Sequence, residues 1–127
     1  MAAFSDYLEG AVLDATLRAT SYTSPSTVYL ALFTSDPTDA GSGTECSGTG
    51  YARQAAAFSR TGATASNSSA IEFPTAGGSW GTITHFGVLD ASSSGNLLYH
   101  GALTASKSIT TGDIFRVPSG DLDITLA

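Results

Sequence analysis

The 127-residue chain carries 11 acidic and five basic residues, which gives a formal net charge of −6. Charged residues make up 13% of the sequence, whereas roughly 25% is usual for soluble domains. The few basic residues are scattered along the chain, which argues against nucleic-acid binding, and an anionic membrane would repel such a surface. The length predicts one domain with one hydrophobic core.

The sequence also argues against a secreted, membrane-spanning, disulfide-bonded or zinc-binding protein. The N-terminal MAAFSDYLEG has no basic region and contains Asp6, so we do not expect a secretory signal. No apolar run approaches the roughly 18 residues of a membrane span. Cys46 is the only cysteine, which leaves no partner for an internal disulfide and no cysteine cluster for zinc.

The N-terminal residues predict a helix from about residue 5 to residue 19. Ser5 is a favourable N-cap, and acidic side chains in the first turn suit the helix dipole. Gly10 is costly inside a helix, so a close approach to another element is one explanation for it. The apolar positions at helical spacing are Phe4, Leu8, Ala11 and Ala15, widened by Tyr7, Val12, Leu13 and Leu17.

The next apolar segment, residues 27–34, alternates as a strand does and is apolar on both faces. It therefore predicts a central strand covered on both sides, with the helix as one candidate cover. Asp36-Pro37 ends the strand, and four glycines with Asp39 and Glu45 follow before Tyr51. This composition predicts a long exposed loop, and loops of that length are often functional.

The rest of the chain alternates between short apolar segments and turns. Such spacing favours a mainly β, single-domain antiparallel β-sandwich or barrel, jelly-roll or immunoglobulin-like, over about residues 27–127 after the helix. Within 80–89 we place Phe86 and Val88 on one face and Ile83 on the other. Residues 61–69 read as a polar turn. The predicted strands are 51–58, 70–73, 80–89, 97–103, 108–110, 114–117 and 121–126.

Two patterns resemble catalytic sites. Residues 77–81 match G-x-S-x-G around Ser79, but that motif requires a strand, a sharp turn and then a helix, and here it precedes a strand. His85 and His100 are expected on neighbouring strands, without a third ligand or an activated partner. We therefore predict no catalytic residue, no cofactor and no enzyme activity.

Two binding hypotheses depend on side-chain types. Asp36, Asp39 and Glu45 are weak candidates for Ca²⁺ because carboxylate oxygens suit that ion, although their spacing is not that of an EF-hand loop, and we predict no metal site. Trp80 and Tyr99 are either core aromatics or a platform for a host-surface glycan. The sequence leaves both alternatives open.

Several motifs carry a resemblance to a known family. They are FSDYLE, Y-L-A-L-F-T-S-D-P, G-T-E-C-S-G-T-G-Y-A-R-Q, W-G-T-I-T-H-F-G and N-L-L-Y-H-G-A-L, and the similarity extends over nearly all of the chain. The sequence resembles small virion proteins of tailed bacteriophages, often labelled tail fibre proteins. The resemblance implies a non-enzymatic structural protein, made in the host bacterial cytoplasm and located in the virion.

From this resemblance we expect a tail fibre or tail-tip component that forms homo-oligomers, for example trimers, and docks on other virion proteins. A capsid decoration (cement) protein and a glycan-binding adhesin are the alternatives. We expect the helix and the loop to make the contacts. The loop residues predicted for this role are Asp36, Pro37, Asp39, Glu45, Tyr51 and Arg53.

Overall fold

A computed structural model describes residues 2–126 and contains one helix and ten strands among them. The helix α1 spans Asp6–Leu17. The strands are β1 (Ala3–Phe4), β2 (Val28–Phe33), β3 (Gln54–Ala56), β4 (Phe58–Thr61), β5 (Thr64–Asn67), β6 (Ile71–Glu72), β7 (Gly81–Leu89), β8 (Leu97–Ile109), β9 (Arg116–Val117) and β10 (Asp123–Thr125).

The strands form three open antiparallel sheets. The largest has the order β1-β8-β7-β2-β3, and the smaller ones have the orders β10-β5-β4 and β6-β9. Residues from all three sheets share one main core, so the mainly β sandwich class with an N-terminal helix is confirmed. The largest members of that core are Leu30, Leu32, Phe73, Trp80, Ile83, Phe86, Val88, Phe115, Leu122 and Ile124.

Strand β2 is central, as its two apolar faces predicted. It pairs with β3 on one side and with β7 on the other. Leu30 and Leu32 point into the main core. Ala31 and Phe33, on the opposite face, form a second cluster with Leu89 and Leu97.

The predicted alternation in β7 is wrong at one position. Ile83 is fully buried and belongs to the main core together with Phe86 and Val88, although an odd spacing separates Ile83 from the other two. The cause is a register shift against β8 between Ile83 and His85. Thr84 alone separates Ile83 from His85, whereas four β8 residues separate their partners Lys107 and Ala102, so the regular ladder and its alternation of faces are interrupted here.

The prediction of a polar turn over residues 61–69 is also wrong in part. β4 and β5 form a hairpin, with Thr61 opposite Thr64 and Gly62 at a φ of 60° in the turn. The strand residues of β5 are small and polar, so they carry no apolar alternation. β5 pairs with both β4 and β10, and this pairing holds it as a strand although its side chains show no strand pattern.

Helix α1 begins at the predicted cap. The Ser5 hydroxyl accepts a hydrogen bond from the Leu8 amide at 3.1 Å. Leu8 is nevertheless the only buried residue of the helix. The close approach suggested for Gly10 is absent among residues 2–126, because a Cβ placed there would meet no atom within 4 Å. In the part of the chain described, no helix is long and apolar enough to cross a membrane.

Candidate functional site

The segment 36–50 is less free than an exposed loop. After Asp36-Pro37 it turns back along β2, where the Thr34 amide donates to the Thr44 carbonyl at 2.9 Å and the Cys46 amide donates to the Leu32 carbonyl at 2.8 Å. Pro37 and Cys46 are buried. The expectation of a long exposed loop therefore holds for most of its side chains but not for its backbone.

Two glycines of this segment are required by close packing. A Cβ on Gly43 would lie 2.6 Å from the Asp36 carbonyl oxygen, and one on Gly48 would lie 2.3 Å from the Trp80 ring. Distances below 3 Å are not tolerated between such atoms. The glycines thus allow the segment to lie against the protein rather than to move freely.

Glu45, Tyr51 and Arg53 form a connected polar network, which we call the Glu45 network. Arg53 donates to both carboxylate oxygens of Glu45, each at 2.8 Å. The Tyr51 hydroxyl donates to Glu45 Oε2 at 2.7 Å and accepts from the Leu32 amide at 3.1 Å. The bidentate pair of Arg53 and Glu45 is the strongest common form of a charge-assisted hydrogen bond.

Arg53 also holds the turn between β7 and β8. Its Nη1 donates to the carbonyl oxygens of Ala91 and Ser94 at 2.9 and 2.8 Å. The arginine thereby joins the segment 36–53 to the turn and has most of its N–H groups in use. Three of the predicted contact residues, Glu45, Tyr51 and Arg53, are therefore engaged within the chain.

The network changes the acidity of its members. Burial opposes ionisation of Glu45, but the hydrogen bonds from Arg53 and Tyr51 outweigh it and lower the pKa of Glu45. Burial, together with the hydrogen bond to Glu45, raises the pKa of Tyr51 above its ordinary value. The hydrogen bond to Glu45 raises the pKa of Arg53 despite partial burial. Each group is held in the charge state that the network needs.

Asp36 and Asp39 lie beside His100 on the other side of the segment. His100 is buried, and its Nε2 donates to Asp39 Oδ1 at 2.8 Å, while its Nδ1 lies 3.8 Å from Asp36 Oδ1. The Asp39 carbonyl also accepts from the Asp6 amide at 2.8 Å, which connects the segment to the start of α1. These contacts stabilise the fold locally.

The carboxylates proposed for calcium are not brought together. Glu45 is paired with Arg53, whereas Asp39 lies near Asp6 and Glu9. Those three form the one group of potential metal ligands identified among residues 2–126, with ligand atoms within 4.8 Å of one another. All three are exposed, and exposed acidic groups commonly occur without an ion.

The residues considered for catalysis occupy turn and sheet positions. Ser79 Oγ accepts a hydrogen bond from the Gly81 amide at 3.3 Å, within the turn before β7. His85 shares a hydrogen bond with the Thr84 hydroxyl at 2.8 Å. His100 lies opposite Gly87 and His85 lies opposite Ala102, so the two histidines are offset by two residues on the paired strands.

The two aromatics considered for glycan binding differ in their surroundings. Trp80 is 3% exposed, and its indole N–H donates to the Thr49 carbonyl at 2.9 Å. Its ring is a core element and presents no platform to a sugar. Tyr99 is half-buried and its ring lies 5.3 Å from that of Phe4.

Helix α1 carries an exposed apolar surface. Gly10, Leu13 and Leu17 form a stripe that we call the outward face of α1, and Leu13 and Leu17 are 55% and 78% exposed. With about 100° per residue, all three point roughly opposite to Leu8. Both leucines lie at helical spacing in the sequence, but that spacing does not show which side of the helix is covered.

Comparison with known proteins gives a family. No curated protein matches the chain. A family model described as "Podophage GP4 fiber I protein gp80" matches residues 3–125. The match covers nearly the whole chain and agrees with the resemblance to phage tail fibre proteins. The protein therefore belongs to the Podophage GP4 fiber I protein gp80 family of bacteriophage fibre structural proteins.

Proposed function

We propose that this protein is a non-enzymatic structural subunit of a tailed-phage fibre, which associates with further copies of itself and docks on other virion proteins. The observation that carries the proposal is the outward face of α1. A fibre subunit must present surface to its neighbours, and the two most exposed large aliphatic side chains of residues 2–126, Leu13 and Leu17, lie on this face.

The energetics of α1 support an interface at this face. A helix of 12 residues is marginal on its own, and here it buries one residue. Covering a leucine side chain stabilises an assembly by about 1.5 to 3 kcal/mol before the costs of association. Two leucines one turn apart therefore contribute substantially to a contact repeated by symmetry.

Sedimentation of the purified protein tests self-association. We expect the wild type to change from monomer to oligomer with rising concentration, and Leu13→Gln with Leu17→Gln to shift that transition to higher concentration. Ile114→Gln is the matched control, because Ile114 is a half-exposed aliphatic residue outside the helix. A wild type that stays monomeric throughout contradicts self-association.

Docking on virion proteins requires a second measurement. Particles that lack the protein are incubated with purified wild type or with the double variant, and bound protein is quantified after sedimentation of the particles. We expect the wild type to bind at a fixed copy number per particle. Absence of binding by wild-type protein would contradict the docking role, whatever the outcome of the self-association experiment.

A further inference from the structure

An apolar cavity of about 360 Å³ opens between the five-stranded sheet and the β10-β5-β4 sheet. Its walls include Val28 and Val88 from the large sheet and Phe58, Ala65 and Ile124 from the small one. Pockets that hold small molecules in proteins commonly begin at about 300 Å³. The two sheets therefore leave room for apolar groups from outside the chain.

The helix and this cavity lie at opposite faces of the large sheet. The cavity lies on the side of the main core, to which Val88 belongs. The first turn of α1 is hydrogen-bonded to Asp39 and to the Leu97 carbonyl, beside the second cluster. A chain cannot place its own Leu13 and Leu17 in its own cavity.

We infer that the outward face of α1 in one copy inserts into this cavity of the next copy, so that the interface is head-to-tail. The inference rests on the proposed self-association. Leu13 and Leu17 are four residues apart, so their Cβ atoms are about 6 Å apart on one side of the helix, which suits insertion as a pair. Gly10, with open space around it, lets the partner's cavity rim approach the helix backbone.

The charges near the two surfaces are complementary. Asp6 and Glu9 are exposed in the first turn of α1, next to the leucine stripe. Arg60 contributes to the cavity wall and donates from Nη1 to the Gly62 carbonyl at 2.8 Å. In a chain with a net charge of −6, a generic contact between copies would be repulsive. Placing the acidic turn near Arg60 offsets this repulsion.

A head-to-tail contact uses two different surfaces of each copy. It therefore closes into a ring when the rotation between copies permits and otherwise extends as a filament. Each copy fills the cavity of one neighbour and has its own cavity filled by another. A helix-to-helix contact would instead be self-complementary and would leave the cavity unused.

Mixing two defective variants tests this arrangement. Leu17→Glu damages the helix surface, and Ala65→Phe fills the cavity. We expect each variant alone to associate about ten- to a hundredfold more weakly than the wild type, which corresponds to the loss of one buried leucine. An equimolar mixture should form a 1:1 complex, because the intact helix of Ala65→Phe fits the intact cavity of Leu17→Glu.

Folding of each variant is checked by circular dichroism. If Ala65→Phe does not fold, Arg60→Glu replaces it, paired with Glu9→Arg on the other copy to restore the opposite charges. The matched control is Ile114→Glu, which should leave wild-type association and the mixing result unchanged.

The outcomes separate the two proposals. Recovery of a 1:1 complex on mixing supports the head-to-tail contact. A wild type that oligomerises while the cavity variants associate normally, or a mixture that does not recover, overturns this contact and leaves self-association standing. A monomeric wild type overturns both.

Discussion

The segment from Asp36 to Arg53 and the outward face of α1 differ in how their side chains are engaged within the chain. The segment is rich in glycine and acidic residues, yet Glu45, Tyr51 and Arg53 bond to one another and to neighbouring backbone. The helix has apolar residues at helical spacing, yet Leu13 and Leu17 lie exposed. In these two regions, charged side chains are bonded within the fold, whereas two leucines lie exposed.

In these two regions, residue type alone does not indicate which side chains are exposed. Even in a chain with few charges, a charged side chain can be fully paired with an opposite charge of the same chain. An apolar side chain on a helix is buried only when it points toward the sheet. The 12-residue helix α1 packs on one sheet, so only one side of the helix is covered.

The largest expected effect contrasts two leucines of the same helix. Leu8→Ala should lower the free energy of unfolding by about 3 kcal/mol, because Leu8 is 5% exposed and a cavity would remain. Leu17→Ala should change it by less than about 0.5 kcal/mol, since Leu17 is exposed. Urea unfolding of the monomer measures both. Equal effects would show that Leu17 is as well covered as Leu8 and would contradict the exposure of the outward face of α1.

A second prediction concerns the Glu45 network. Glu45→Gln should lower the free energy of unfolding by about 2 kcal/mol, because the Arg53 side chain, which is only 10% exposed, would keep its charge without a carboxylate partner. This value is at the low end for a broken ion pair since the Glu45 side chain is 26% exposed. Glu72→Gln, at an exposed position of β6, is the control. No difference between the variants would mean that the segment is held without the network.

The smallest expected effect is a pH dependence. The pKa of Glu45 is lowered on folding, so its ionised form contributes stability that is complete above the ordinary pKa of 4.5 and is lost as pH falls through the lowered value. Between about pH 5 and pH 3, the wild type should lose more free energy of unfolding than Glu45→Gln. Unfolding titrations at several pH values measure this difference. Parallel curves would show that Glu45 does not titrate differently on folding.

Local features of the fold were predictable. Ser5 caps α1 as expected, and the helix spans Asp6–Leu17 rather than residues 5–19. The central position of β2 followed from its two apolar faces. The β7–β8 hairpin followed from two long apolar segments around a Ser- and Gly-rich turn. Each of these depends on interactions between residues that are near in sequence or on strict periodicity.

Other features required the tertiary structure. The irregular pairing between β7 and β8 interrupts the alternation of β7 and places Ile83 in the main core, which the spacing of apolar residues in β7 did not indicate. The β4–β5 hairpin is built from small polar residues that gain order from neighbouring strands. The apolar cavity could not be predicted from the sequence either, because residues as distant in the chain as Val28 and Ile124 line it.

The helix start, the main strands, the low charge and the family motifs could be read from the sequence, because they depend on residue types and short spacings. Three features became visible only in the folded chain: which leucines of α1 are covered, the ion pair of Glu45 with Arg53, and the cavity between two sheets. The physical reason is that burial and ion pairing depend on which distant segments meet, and strand pairing rather than local periodicity sets those meetings.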